Sequence, residues 1–166
     1  INKAISLAPE NEQSYFIAAK LYTKVQAYTR AEQIFKKALE MSDNPLPIKE
    51  LLADIYFEQK RFAEAEEIIK DLLAQNNNLP LANLLQAKFY IKEGHYGDAV
   101  TILNQLVREY PEWGDAFVQL SIAQLNWGNL ELSQLAADEA VIHSSQNSQA
   151  YALLAHHYLR KREFGQ

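Results

Sequence analysis

A chain of 166 residues with 48% hydrophobic and 22% charged residues, 5 Gly and 5 Pro carries too much apolar material for a disordered segment and too few turn residues for many short strands, so it reads as all-α. Its net charge of −5 lacks the clustered surplus of Lys and Arg that phosphate binding needs, which argues against nucleic acid as a partner. The absence of Cys excludes disulfides, thiolate catalysis and zinc–thiolate sites, and no apolar run approaches the ~18 residues of a spanning helix, so direct membrane insertion is not expected. None of this selects a compartment.

Residues 1–11 read as the end of a helix that began earlier, without the basic-then-apolar order of a targeting segment. From Glu12 onward the chain repeats every 34 residues without insertion or deletion, as copies 12–45, 46–79, 80–113 and 114–147 and a partial copy 148–166. The eighth place of each copy is small: Ala19, Ala53, Ala87, Ser121 and Ala155. A helix needs small residues where its neighbour's backbone comes close. Large residues stand three places later, at Tyr22, Tyr56, Tyr90 and Tyr158, and at the seventeenth place, Tyr28, Phe62, Tyr96, Leu130 and Phe164. The twentieth place holds Ala31, Ala65, Ala99 and Ser133, and the twenty-fourth Phe35, Ile69, Leu103 and Ala137.

Apolar spacing within each copy is helical, so each is expected to form two antiparallel helices. They break near the fifteenth place, at Gln26, Lys60, Gly94 and Gly128, and turn chemistry such as Asn76-Asn77-Asn78 and Tyr110-Pro111 separates one copy from the next. Gln124 and Ser133 depart from the pattern in the fourth copy, where weaker local packing is expected.

A 34-residue period with two helices per unit, small residues at fixed places and a closing Pro resembles the tetratricopeptide repeat. The resemblance covers the whole chain and implies a right-handed superhelical solenoid of about four full repeats with partial repeats at both ends, no cofactor, and a protein or peptide as partner. It also implies that the first helix of each pair lines a concave groove. Carried over place by place, the groove residues are Phe16, Ile17, Lys20, Thr23 and Lys24 in the first copy and Glu50, Leu51, Asp54, Phe57 and Glu58 in the second. Leu81, Leu84, Leu85, Lys88, Ile91 and Lys92 follow in the third, Val118, Gln119, Ile122, Leu125 and Asn126 in the fourth, and Ala152, Leu153, His156, Leu159 and Arg160 in the fifth.

Many of these residues are apolar and form a second stripe beside the core stripe. Two readings follow: the second stripe packs between neighbouring first helices, or it stays open as a hydrophobic groove for a partner helix or extended peptide. Charges at the ninth and thirteenth places alternate in sign through Lys20, Asp54 and Lys88 and through Lys24, Glu58 and Lys92, forming ladders that pair with one another, or else Glu50, Asp54 and Glu58 offer an acidic spot. Neither the Lys and Asn clamp that some relatives use for a C-terminal carboxylate nor the Asn ladder of sugar-transferring relatives is present. The chain therefore reads as a non-catalytic interaction scaffold; the alternative is a spacer or docking arm of a larger enzyme or of a bacterial envelope or exopolysaccharide-secretion protein. Partly uncovered terminal helices would favour end-to-end self-association.

Catalytic constellations are poor. His156 and His157 are adjacent and point about 100° apart on a helix, unable to share one metal. His95 falls in a turn and His143 at a helix end. Glu64, Glu66 and Glu67 are expected on a solvated helix face beside Lys60 and Lys70, and Trp113 and Trp127 are expected to cap the ends of the helix between them.

Overall fold

The computed structural model describes the backbone of residues 12–164 and the side chains of residues 13–160; the expected end of an earlier copy, residues 1–11, lies outside them. The described residues form nine helices and no strand: α1 (Glu12–Lys24), α2 (Tyr28–Met41), α3 (Leu46–Glu58), α4 (Phe62–Gln75), α5 (Pro80–Glu93), α6 (Tyr96–Glu109), α7 (Gly114–Trp127), α8 (Leu130–His143) and α9 (Ser148–Phe164). Two compact units divide within α5, one ending at Leu85 and the other beginning at Gln86. In the first, α1 packs on α2, α2 on α3 and α3 on α4. In the second, α6 packs on α7, α7 on α8, and α9 on both α8 and α7.

The repeated places are the core. At the eighth place Ala19, Ala53, Ala87 and Ser121 are fully buried, as are Ala31, Ala65, Ala99 and Ser133 at the twentieth and Phe35, Ile69, Leu103 and Ala137 at the twenty-fourth. Side chains no larger than Ala or Ser let two helices approach closely, and the large residue four places on fills the space beside the crossing. Phe35 also meets Phe16 edge-on at 6.1 Å between ring centroids, a geometry that adds to area burial. Fourth-place residues tie three of the first helices to a loop or to their own second helix: Lys49 Nζ bonds Asp71 Oδ2 at 2.8 Å, Asn83 Nδ2 donates to the Asn77 and Leu79 carbonyls, and Phe117 stacks on His143.

Each break between paired helices has one conformation. Gln26, Lys60, Gly94 and Gly128 have φ of 58°, 62°, 84° and 93°. Each donates its N–H to the carbonyl three residues back, and the next residue donates five residues back, as in Gly128 to Leu125 and Asn129 to Gln124. This double bond pattern closes a helix on a left-handed residue. Gln and Lys hold that conformation against a steric cost of about 1–2 kcal/mol that Gly does not bear, partly offset by the greater freedom of Gly in the unfolded chain. Lys60→Gly is therefore expected to raise the unfolding free energy by roughly 0.5–1 kcal/mol and Gly94→Ala to lower it similarly, as read from urea unfolding curves.

The fifth copy departs from the others. α9 runs without a break to Phe164, through the place where the other copies turn, so the second helix expected from Phe164 has not begun there. The fourth copy is also better packed than its departures imply. Gln124 is buried and its Oε1 accepts a bond from Asn129 Nδ2 at 2.8 Å, in the place where Tyr22 and Tyr56 stand in the first two copies. Ser121 Oγ donates to the Ser133 carbonyl at 2.9 Å, and Ser133 Oγ reaches both the Ser121 carbonyl and His157 Nε2. Replacing Ala with Ser at both crossing places has converted a steric contact into a satisfied buried polar one.

Candidate protein-binding face

The expected groove residues come from first helices, and the structure sorts them by burial. Leu84, Leu85 and Val118 are 6%, 0% and 1% exposed. They are core side chains and offer no surface to a partner, a correction to the expected groove at its centre. The reason is a matter of packing: the fifth and sixth places fall at the margin of the core stripe, where a large aliphatic side chain turns inward. Val118, for example, packs with Ala140 and Ala150, and Ile122 and Leu153 lean on that cluster.

What stays accessible lies mainly at the ninth, twelfth and thirteenth places. On α1, Ile17 is 50% exposed, Lys20 and Lys24 are exposed, and Phe16 and Thr23 are half-buried. Lys20 Nζ sits 5.5 Å from the centre of the Phe16 ring, over its electron-rich face. On α3, Leu51, Asp54 and Phe57 are half-buried and Glu58 exposed, with Phe57 edge-on to Phe62 at 5.3 Å. The negative charges of Glu58 and Asp54 reach Tyr28 and, after burial itself, hold its phenol pKa above the usual value. In the second unit, Lys88 and Ile91 of α5 are half-buried and Lys92 exposed; Gln119, Ile122 and Leu125 of α7 are half-buried and Asn126 exposed. On α9, Ala152, His156, Leu159 and Arg160 are exposed.

Glu50 has a different occupation. Its carboxylate accepts the N–H of Ala82 at 3.0 Å, in the first turn of α5, where backbone donors lack intrahelical partners. Burial raises the pKa of Glu50, and the bonds from Ala82 and Leu81 offset only part of that rise. Glu50 is a cap supplied across one repeat, which removes it from the acidic spot expected with Asp54 and Glu58. Glu50→Ala should cost about 1 kcal/mol while Glu50→Gln retains most of it, a difference resolvable in thermal unfolding.

The densest charged cluster lies away from these helix faces. Arg61 Nη1 bonds Glu32 Oε2 at 2.7 Å, Nε and Nη2 together engage the Glu64 carboxylate, and the guanidinium lies over the Tyr56 ring at 4.1 Å. Glu32 also accepts from Lys36 at 2.7 Å and from Tyr56 Oη at 3.1 Å. Burial alone would raise the carboxyl pKa of Glu32, but these bonds outweigh it and hold it below the usual range. Glu64 is thus paired with Arg61 rather than with Lys60, while Lys70 does pair with Glu66. The cluster is internally matched and joins α2 to the α3–α4 turn. Ser133 and His157 are a buried pair without a carboxylate bonded to the imidazole and without an opening, so they lack the arrangement of an activated nucleophile. Among the described residues no group of three or more His, Asp or Glu could hold a metal ion, and no helix is long and apolar enough to cross a membrane.

The tryptophans act in packing: the Trp127 ring lies against Gly97, where an added Cβ would meet it at 3.5 Å, and Trp113 stands edge-on to Tyr110 at 6.1 Å.

Comparison with known proteins agrees with this architecture. A family model described as tetratricopeptide repeat matches residues 22–89. No curated protein matches the chain. Among solved structures, a thermophilic tetratricopeptide-repeat protein of Thermus thermophilus superposes with a TM-score of 0.77 at 17% identity, covering 90% of this chain and 82% of its own. PilW, described as a type IV pilus biogenesis factor, gives 0.68 at 16%, covering 98% and 82%. YrrB, described as having an unusual peptide-binding site, gives 0.58 at 19%, covering 91% and 78%. These likenesses concern the fold.

Proposed function

We propose, from the tetratricopeptide-repeat match over residues 22–89 and the repeat fold shared with solved tetratricopeptide-repeat structures, that the chain is a non-catalytic scaffold that takes a peptide or helical segment of a partner protein on the accessible faces of its first helices. The observation that carries this reading is the composition of those faces beside a closed core. Phe57, Ile91 and Leu125 keep apolar surface at the twelfth place, and Ile17 keeps it at the sixth place of the first copy, while Lys24, Glu58, Lys92 and Asn126 add polar groups at the thirteenth. Apolar pockets give a bound segment its affinity and the flanking charges its register. YrrB, a protein of the same fold, is described as having a peptide-binding site, which agrees in kind.

A photo-crosslinking residue placed singly at Lys24, Glu58, Lys92 or Asn126 in the source cell tests the reading. A partner segment should be trapped from Lys24 and Glu58 of the first unit, or from Lys92 and Asn126 of the second, and none from Gln33, Glu67 or Thr101 on second helices. Trapping from the second-helix positions alone would overturn it.

A further inference from the structure

The outward face of each second helix is set by the nineteenth, twenty-second, twenty-sixth and twenty-ninth places, which form one stripe on a helix. In α2 they hold Arg30, Gln33, Lys37 and Glu40; in α4 and α6 they are likewise exposed, and Ala74 alone among them is apolar. α8 breaks the pattern. There the same places hold Leu132, Leu135, Glu139 and Ile142, and the three apolar side chains are 51%, 61% and 69% exposed. Isolated exposed leucines are ordinary on a protein surface. Three on one stripe, where the other full copies carry polar or charged side chains at every place but Ala74, form a face that the fold itself leaves unused.

We propose that α8 docks an amphipathic helix of another protein, one that carries leucine-type residues along a single stripe and Lys or Arg opposite Glu139. The spacing of 3, 4 and 3 residues is that of the apolar seam along which two helices pack, with Glu139 inside the seam. The carboxylate of Glu139 has His143 Nε2 at 3.4 Å, a contact that is charged only when the imidazole is protonated. A cation brought by the docked helix would pair with this carboxylate. A second copy of the chain is a poor occupant, because pairing α8 with itself would bury two Glu139 carboxylates in one seam with no cation to match them. An anionic lipid surface is a poor one too: α8 holds Glu131, Asp138 and Glu139 and no Lys or Arg, the reverse of a membrane-surface helix. Because this face uses no first-helix residue, it stands or falls separately from the scaffold reading above.

Two synthetic helical peptides with Leu along the seam, one with Lys and one with Glu at its centre, test the proposal by fluorescence anisotropy. The Lys peptide should bind the full chain saturably and about tenfold or more tighter than the Glu peptide. Leu135→Asp combined with Ile142→Asp, both at exposed positions and checked for retained helicity by circular dichroism, should weaken it by a similar factor or more. Glu139→Lys should reverse the preference between peptides. Equal binding of both peptides, binding indifferent to the α8 substitutions, or no saturable binding would overturn the proposal. So would dimerisation of the chain in sedimentation that the α8 double variant abolishes, or binding of anionic vesicles through the same residues.

Discussion

Leu85→Asp is expected to abolish the cooperative unfolding transition of the chain in circular dichroism, whereas Ile17→Asp, at the same place of the first copy, should leave stability within about 0.5 kcal/mol. The two leucine-sized side chains occupy equivalent positions on equivalent helices and differ in surroundings: Leu85 is 0% exposed and Ile17 50%. Removing a buried Leu side chain costs roughly 2–5 kcal/mol through lost transfer energy and the cavity left behind. A carboxylate in its place adds several kcal/mol more, or takes up a proton to avoid that cost. Together these terms rival the whole ~5–15 kcal/mol that holds a typical domain folded. Comparable stability of the two variants would return Leu85 to the accessible face and restore the sequence-based groove at its centre.

The second large effect belongs to Ser133. Its hydroxyl partners both Ser121 and His157, and His157 is 6% exposed, so Ser133→Ala leaves a buried imidazole nitrogen without its bond, at a cost of about 1–3 kcal/mol. Combining it with His157→Leu should recover much of that loss, since removing both polar groups is close to neutral; a double-mutant cycle in urea reads the coupling. Burial first, and then the neighbouring charge of His156, lowers the pKa of His157. A lowered folded pKa means that the neutral imidazole favours the folded state. This stability is complete above the ordinary imidazole range near ~6.5 and is lost as pH falls through it toward the lower folded value. The His157→Leu variant should lose that portion of the pH dependence, which melting temperatures above and below this range would show.

The core was legible in the sequence because it is written four times in phase. Ala at two places and a large residue four places after the second carry their meaning through repetition, and Gly94 and Gly128 disclose a left-handed turn that Gln26 and Lys60 share only by position. The accessible face was less legible. Leucine at the fifth and sixth places has the same letter whether it faces a groove or the core, and Leu51 is half-buried where Leu85 is fully closed; helical phase resolves faces to about one residue in 3.6, too coarse for a stripe at the core margin. Glu50 looked like a groove charge because its donor, Ala82, is 32 residues away. Ser133 looked like a local departure, Ser121 like one more small residue and His157 like half of a pair unable to share a metal; only their meeting makes them a compatible set. The apolar face of α8 did have a sequence signal, in Leu132, Leu135 and Ile142 at places that are polar elsewhere, but it shows only when outward places are compared across copies.

Two helix starts depend on acceptors in the copy before. Glu50 of α3 receives the Ala82 N–H of α5. Asp115 of α7 holds Asn147 Nδ2 at 2.9 Å while Asn147 Oδ1 receives the N–H groups of Gln149 and Ala150 in α9. In both cases the acceptor precedes the helix in the chain. On a ribosome, where residues emerge one after another from the N-terminus, α5 and α9 therefore arrive at a finished starting point, and neither waits for a residue not yet made. The repeats have a temporal polarity as well as a spatial one, and circular permutations that put α5 ahead of α3 should slow its formation even where the final fold is unchanged.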